Sequence, residues 1–197
     1  MALTDFDKEL LASNLLEAKT LKQLYEKEKI LTNAKMIALQ KQPVVGCLDY
    51  AHLKDIHAYL FSDVYTWAGK DRYEAGIHAD FGKGTTLFTS YDKLPQVSKH
   101  LFDALKDEKY FQRQDKKTFT QSAAVFMNGV NILHPFREGN GRVQRIFMEY
   151  VAKEAGYTLS FTSINADEMI KASVYGAKGD MSLMLDIFDK SITQDNK

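Results

Sequence analysis

Apolar residues recur at helical spacing along most of this chain. From position 5 to 40 the pattern predicts helix, with Phe6, Leu10, Leu21, Leu24 and Met36 as apolar anchors, and residues 41–49 break it. A second helix starts at Tyr50 and carries Leu53, Ile56, Leu60 and Val64; Gly69 is placed to turn the chain after it. Further helices are predicted over about 91–106, 117–133 and 141–155, with Pro135 closing the second and Gly156 just past the third. Two shorter ones follow, capped by Asn165 and Asp180. Residues 76–90 differ. Gly76, Gly82 and Gly84 interrupt them, and Thr85, Thr86, Phe88 and Thr89 favour extended backbone, so a short β-hairpin is expected. The predicted fold class is all-α with one small hairpin.

Composition narrows the function classes. The 197 residues suit a single domain, 1–197, with a core over about 50–190 and the N-terminal helical segment before it. Lys plus Arg and Asp plus Glu both number 26, so a broad electrostatic grip on nucleic acid or an anionic membrane is not indicated, and any anion site must be a local cluster. The single Cys47 excludes an intramolecular disulfide framework and a multi-cysteine zinc site. No stretch approaches the ~20 apolar residues of a membrane span, and the acidic N-terminus lacks the pattern of a secretory signal. A cytoplasmic protein is expected, or one delivered into a host cell as part of a longer effector.

The chemistry concentrates in residues 134–145, HPFREGNGRVQR, which join two predicted helices. Gly139, Asn140 and Gly141 allow successive backbone N–H groups to form an anion nest, and the helix that starts there aims its free N–H groups at the same spot. Arg142 and Arg145, three apart, share a helix face and can grip a polyphosphate. Glu138 supplies one carboxylate, which together with phosphate oxygens and water is how Mg²⁺ is usually held. His134 can take a proton from an attacking hydroxyl near neutral pH. Phe136 is read as the loop's anchor in the core. A histidine alone is more often structural, two arginines three apart more often a solvated face, and Gly-Asn-Gly more often a plain turn. All of them within twelve residues at a loop-to-helix junction point instead to phosphate chemistry.

This segment resembles the Fic domain signature, His-Pro-Phe-x-(Asp/Glu)-Gly-Asn-Gly-Arg-x-x-Arg, at every fixed position. Ile56 to Arg72, Lys83 to Phe88 and Glu154 to Phe161 are similar to further Fic segments. The regions Asn14 to Glu28 and Gly176 to Phe188 resemble short bacterial Fic toxins that a separate protein inhibits. The resemblance implies the all-α Fic fold and transfer of AMP from ATP to a Ser, Thr or Tyr hydroxyl of a target protein. On it, His134 is the general base and Glu138 the Mg²⁺ ligand. Asn140, with the Gly139 and Gly141 backbone, steadies the α-phosphate, while Arg142 and Arg145 bind the β- and γ-phosphates. A flap of Gly84, Thr85, Thr86, Leu87 and Phe88 docks the target by strand-like pairing. Family relatives that transfer phosphate carry Lys where this chain has Gly141. Other readings are a catalytically silent nucleotide-binding or interaction module, and a transferase using another nucleotide. Tyr175 is a candidate for the base pocket, against a plain core or surface aromatic.

The resemblance also raises regulation. Many Fic proteins carry an inhibitory helix, (Ser/Thr)-x-x-x-Glu-(Gly/Asn), whose Glu pairs with the second motif arginine, here Arg145. Two near-matches occur. Ser13 to Ala18 has Ala at the last position and reads otherwise as a surface helix pair of Ser13 and Glu17. Ser191 to Asn196 has Asp195 in place of Glu. A separate antitoxin supplying the glutamate is therefore expected. By family analogy the target is a type II topoisomerase subunit or a small GTPase.

Overall fold

The computed structural model describes residues 3–78, 82–83 and 86–194. Its helices are α1 (Asp5–Ala12), α2 (Leu21–Leu39), α3 (Tyr50–Phe61), α4 (Leu94–Asp107), α5 (Lys116–Leu133), α6 (Asn140–Ala155), α7 (Ala166–Ala177) and α8 (Ser182–Ser191). A hairpin of β1 (Gly82–Lys83) and β2 (Thr86–Leu87) lies between α3 and α4, in the register Gly82↔Leu87 and Lys83↔Thr86. The expected all-α architecture with a small hairpin is what the chain forms.

Most helix starts are legible in local chemistry. Thr4, Thr20, Asp49, Asp115 and Asn165 each sit in extended backbone, and their side chains accept from an N–H of the first turn. Thr4 and Asn165 complete capping boxes with Asp7 and Glu168. Gly156 ends α6 at φ 88, a left-handed conformation that glycine adopts without steric cost.

The predicted helix over 5–40 is in fact two. Asn14 folds the chain between α1 and α2: its Oδ1 accepts from the N–H groups of Leu16 and Ala18, and Glu17 takes φ 53. Short polar side chains compete with the helix for backbone hydrogen bonds, which periodicity does not register. Phe6 is no core anchor but is 37% exposed, with the Arg137 guanidinium over its ring. A second small sheet was not expected. β3 (Tyr157–Leu159) pairs antiparallel with β4 (Ile192–Gln194), folding the end of the described chain back beside α6.

One apolar cluster gathers residues from every helix. Leu53, Ile56, Leu60 and Phe61 of α3, Phe119, Met127 and Leu133 of α5, and Val143, Phe147 and Val151 of α6 are among its fully or almost fully buried members. Burial of each such side chain contributes roughly 1.5–3 kcal/mol. The core therefore fixes α3, α5 and α6 against one another, and the loop 134–139 is strung between two of these helices.

Candidate active site

The loop and its helix form as the motif predicts. His134 closes α5 in the left-handed region (φ 44, ψ 59), and its N–H donates to the Val130 carbonyl at 3.0 Å. Phe136 is 1% exposed, so it is the anchor expected of it. Gly139 starts α6 at φ 83, with no side-chain cap on the helix. The first-turn amides of α6 are therefore turned toward the loop's concave side. Asn140 is 5% exposed and its side chain works within the loop. Its Nδ2 donates to the Phe136 carbonyl at 2.6 Å, and its Oδ1 accepts from the Phe136 N–H at 2.9 Å. Its amide holds the loop's shape; its backbone stands at the helix start.

Two residues that sequence reasoning left without a role hold this loop from outside. His57 of α3 is fully buried and lies flat on Phe136, ring centroids 3.9 Å apart. Its Nδ1 accepts from the Gly69 N–H at 2.9 Å. That assigns the proton to Nε2, which donates to the Glu138 carbonyl at 3.1 Å. Burial pushes this imidazole down to about 3. Arg72 is also fully buried. Its Nε donates to the His134 carbonyl at 2.9 Å and its Nη2 to the Thr89 carbonyl at 2.6 Å, tying the loop to the segment that follows the hairpin. Its backbone N–H donates to the Pro135 carbonyl at 2.8 Å. Both residues lie in the stretch 56–72 that resembles a Fic segment, and a buried arginine cannot be told from a surface one by spacing alone.

His57 makes a pH prediction. Its pKa is depressed by folding, so the unfolded chain binds a proton between pH 6.5 and about 3 that the folded chain refuses. The stability it confers is complete above pH 6.5 and falls by about 1.4 kcal/mol per pH unit below it, until the folded value is reached. Urea titrations between pH 7 and pH 5 should show this slope, and His57→Gln should flatten it; an unchanged slope in the variant would assign it elsewhere.

Two cavities meet at His134. The first, about 230 Å³, has apolar walls from Met127, Met169, Ile170 and Val174, and reaches Asn140, Gly141 and Arg145. The second, about 430 Å³, is lined by Glu138, Gly139, Arg142 and Arg145 and shares His134 and Phe88 with the first. Phe88 covers the His134 ring face to face at 3.7 Å. Tyr175 is 44% exposed, the surface aromatic of its two readings; its neighbours Ser173 and Val174 line the first cavity. Of the flap, Gly84 and Thr85 lie outside the described residues, and Leu87 is 81% exposed. Arg145 is partly buried, and burial together with the like charge of Arg142 holds its guanidinium below the usual value. Glu149, one turn on, is pushed up to about 7 by burial, with Arg145 opposing. Among the described residues no group of three metal-ligating side chains occurs, so a cation here would rest on Glu138 plus a ligand's own oxygens.

An apolar slot and a glycine-started helix with two arginines thus meet at a histidine. Residues 47–152 match the Fic/DOC family, and the chain belongs to it. It is 33% identical over 181 residues to the protein adenylyltransferase VbhT of Bartonella schoenbuchensis, covering 92% of this chain and 37% of that one. It is 32% identical to a probable protein adenylyltransferase Fic of Escherichia coli, covering 83% of this chain and 78% of that one. The chain thus spans little more than a third of the first relative and most of the second. A solved Fic domain of a Bartonella quintana effector with bound ADP superimposes with a TM-score of 0.87 at 29% identity, over 93% of this chain and 91% of that one.

Proposed function

We propose that this chain is a protein adenylyltransferase that moves AMP from ATP to a Ser, Thr or Tyr hydroxyl of another protein and releases pyrophosphate. The observation that carries this reading is the junction of the two cavities at His134: a base-sized apolar slot on one side, the α6 amides and arginines on the other. The adenine fits the slot between Met127, Met169 and Ile170. The triphosphate then runs along Gly139, Asn140 and Gly141, placing the α-phosphorus beside the imidazole. His134 takes the hydroxyl proton, the hydroxyl oxygen bonds to the α-phosphorus, and the bond to the β-phosphate oxygen breaks. Negative charge moves to the departing pyrophosphate, where the guanidinium of Arg145 lines the cavity, so it stabilises the transition state more than the ground state. Glu138 would hold a Mg²⁺ that offsets phosphate charge when bound. Gly141 supports transfer of the nucleotide rather than of a phosphate. An added Cβ there meets only Arg145 Nη1 at 3.5 Å, so a longer side chain would enter the phosphate path.

Inhibition by a separate small protein completes the proposal. Neither internal near-match is a helix. Ser13 caps the end of α1 and Glu17 follows in a turn at φ 53; Ser191 closes α8, residues 192–194 are strand, and Asp195 and Asn196 lie outside the described residues. A groove of about 680 Å³ between α2 and α6 gives access to Arg145 from outside. An acidic helix seated there would reach the guanidinium. Among the described residues no helix is long and apolar enough to cross a membrane. The target, a topoisomerase subunit or a small GTPase, is the hydroxyl-bearing partner in this reading, and the reaction takes place in the cytoplasm of this cell or of a host.

The test is label transfer. Lysate proteins incubated with this chain, Mg²⁺ and ATP labelled on the α-phosphate should acquire label, and the same reaction with γ-labelled ATP should leave them unlabelled. Label from the γ position, or none from either, would end the adenylyl-transfer reading.

A further inference from the structure

Glu28 lies on α2, ahead of the residues that match the family, yet its carboxylate is built into the phosphate side of the site. It is 5% exposed. One oxygen accepts from Arg142 Nη2 at 2.5 Å, and the other accepts from the Tyr65 hydroxyl. Arg142 Nη1 donates to Thr32 Oγ1 at 3.0 Å, one turn along α2, and the Thr32 hydroxyl donates to the Glu28 carbonyl at 2.9 Å. The guanidinium plane rests over the Phe61 ring at 4.7 Å. A carboxylate, a hydroxyl and an aromatic face thus fix one guanidinium before any ligand arrives. Arg145, three residues on, has no carboxylate within ion-pair distance among the described residues. Two arginines that stand as equals in the motif are electrostatically different in the fold.

We propose that Glu28 is a positioning residue of the phosphate clamp: it holds Arg142 against Phe61 and cancels its charge, leaving Arg145 as the cation that responds to the number of phosphates. This rests on the nucleotide reading given above. Tyr65 keeps the carboxylate in place; burial and Glu28 hold its phenol well above the usual range, so it stays a donor. Tyr65 is itself fixed by stacking on Trp67, centroids 4.3 Å apart. Helix α2 is on this account part of the site. A polyphosphate approaching Arg142 meets a carboxylate there, so neutralising that carboxylate should tighten binding in proportion to ligand charge.

Calorimetric titration of AMP, ADP and the non-hydrolysable triphosphate AMPPNP into the whole chain tests this. Glu28→Gln should bind AMPPNP about threefold to tenfold more tightly, ADP with a smaller gain and AMP within about twofold of the parent. Its KM for ATP should fall together with kcat, because Arg142 is less firmly held. Tyr65→Phe keeps the carboxylate charge and should leave AMPPNP affinity within about twofold. Unchanged AMPPNP affinity in Glu28→Gln, or the same factor for all three nucleotides, overturns the proposal. A nucleotide-free readout stands beside it. Arg142→Gln strands a buried carboxylate and should raise the unfolding equilibrium constant at least about tenfold. Adding Glu28→Gln should restore most of that; a double variant less stable than Arg142→Gln overturns the pairing. A parent chain that bound no nucleotide would sink the adenylyl-transfer reading and this proposal with it, whereas normal parent binding with an unresponsive Glu28→Gln sinks this proposal alone.

Discussion

His134→Ala should slow AMP transfer by about 10²–10⁴ while leaving nucleotide affinity nearly intact. The imidazole stands where the two cavities join and is one residue among many in the lining of each. Removing it removes the proton acceptor for the incoming hydroxyl and little binding surface. The backbone complicates the alanine variant, because position 134 sits at φ 44 and alanine there is strained. Asparagine tolerates that conformation far better, so His134→Asn separates the chemistry from the cap. Both variants should be slow, and the asparagine one should melt close to the parent. Single-turnover label transfer with calorimetric AMPPNP binding measures each half; transfer at the parental rate in His134→Asn would remove His134 from the reaction.

Gly139→Ala should abolish nucleotide binding and destabilise the fold by about 3 kcal/mol, the sum of left-handed strain and an overpacked core contact. A Cβ at Gly139 would stand 2.3 Å from Cε2 and Cζ of Phe61, and the backbone φ is +83. Phe61 cannot yield easily. It is fully buried, 4.7 Å from the His57 ring, and carries the Arg142 guanidinium on its face. The loop must therefore move, and with it the α6 amides. Gly141→Ala is the matched comparison. Its φ is not positive, its added Cβ meets only Arg145 Nη1 at 3.5 Å, and it should cost under about 1 kcal/mol. Urea denaturation of the two variants measures the contrast. Equal losses would mean that the close approach to Phe61 does not govern the loop.

The two glycines show where legibility stops. In the motif they are alike, and both were expected to serve an anion nest. Only the packing of α3 against the loop makes one indispensable to the fold and leaves the other open to the site. The same holds for the arginines, alike at three-residue spacing until α2 supplies Glu28 to one of them. The helix over 5–40 was misread because Asn14 hydrogen-bonds its own neighbours, a local effect invisible to hydrophobic period. β3 and β4 were missed because a three-residue pairing between segments more than thirty positions apart leaves no pattern in either strand.

The order of amino acids alone determined the helical class, the hairpin, most helix starts and the twelve-residue motif of the candidate site. Each of these depends on side chains within a few positions of one another: a cap, a period, a turn, a motif. Tertiary structure alone decided which groups hold that motif in shape. The His57 imidazole on the Glu138 carbonyl, the Arg72 guanidinium on the His134 and Thr89 carbonyls, and the Glu28 carboxylate on Arg142 all come from far along the chain. Their roles follow from burial, because a polar group taken out of water must find its partner inside the fold, and only the folded packing says which partner that is.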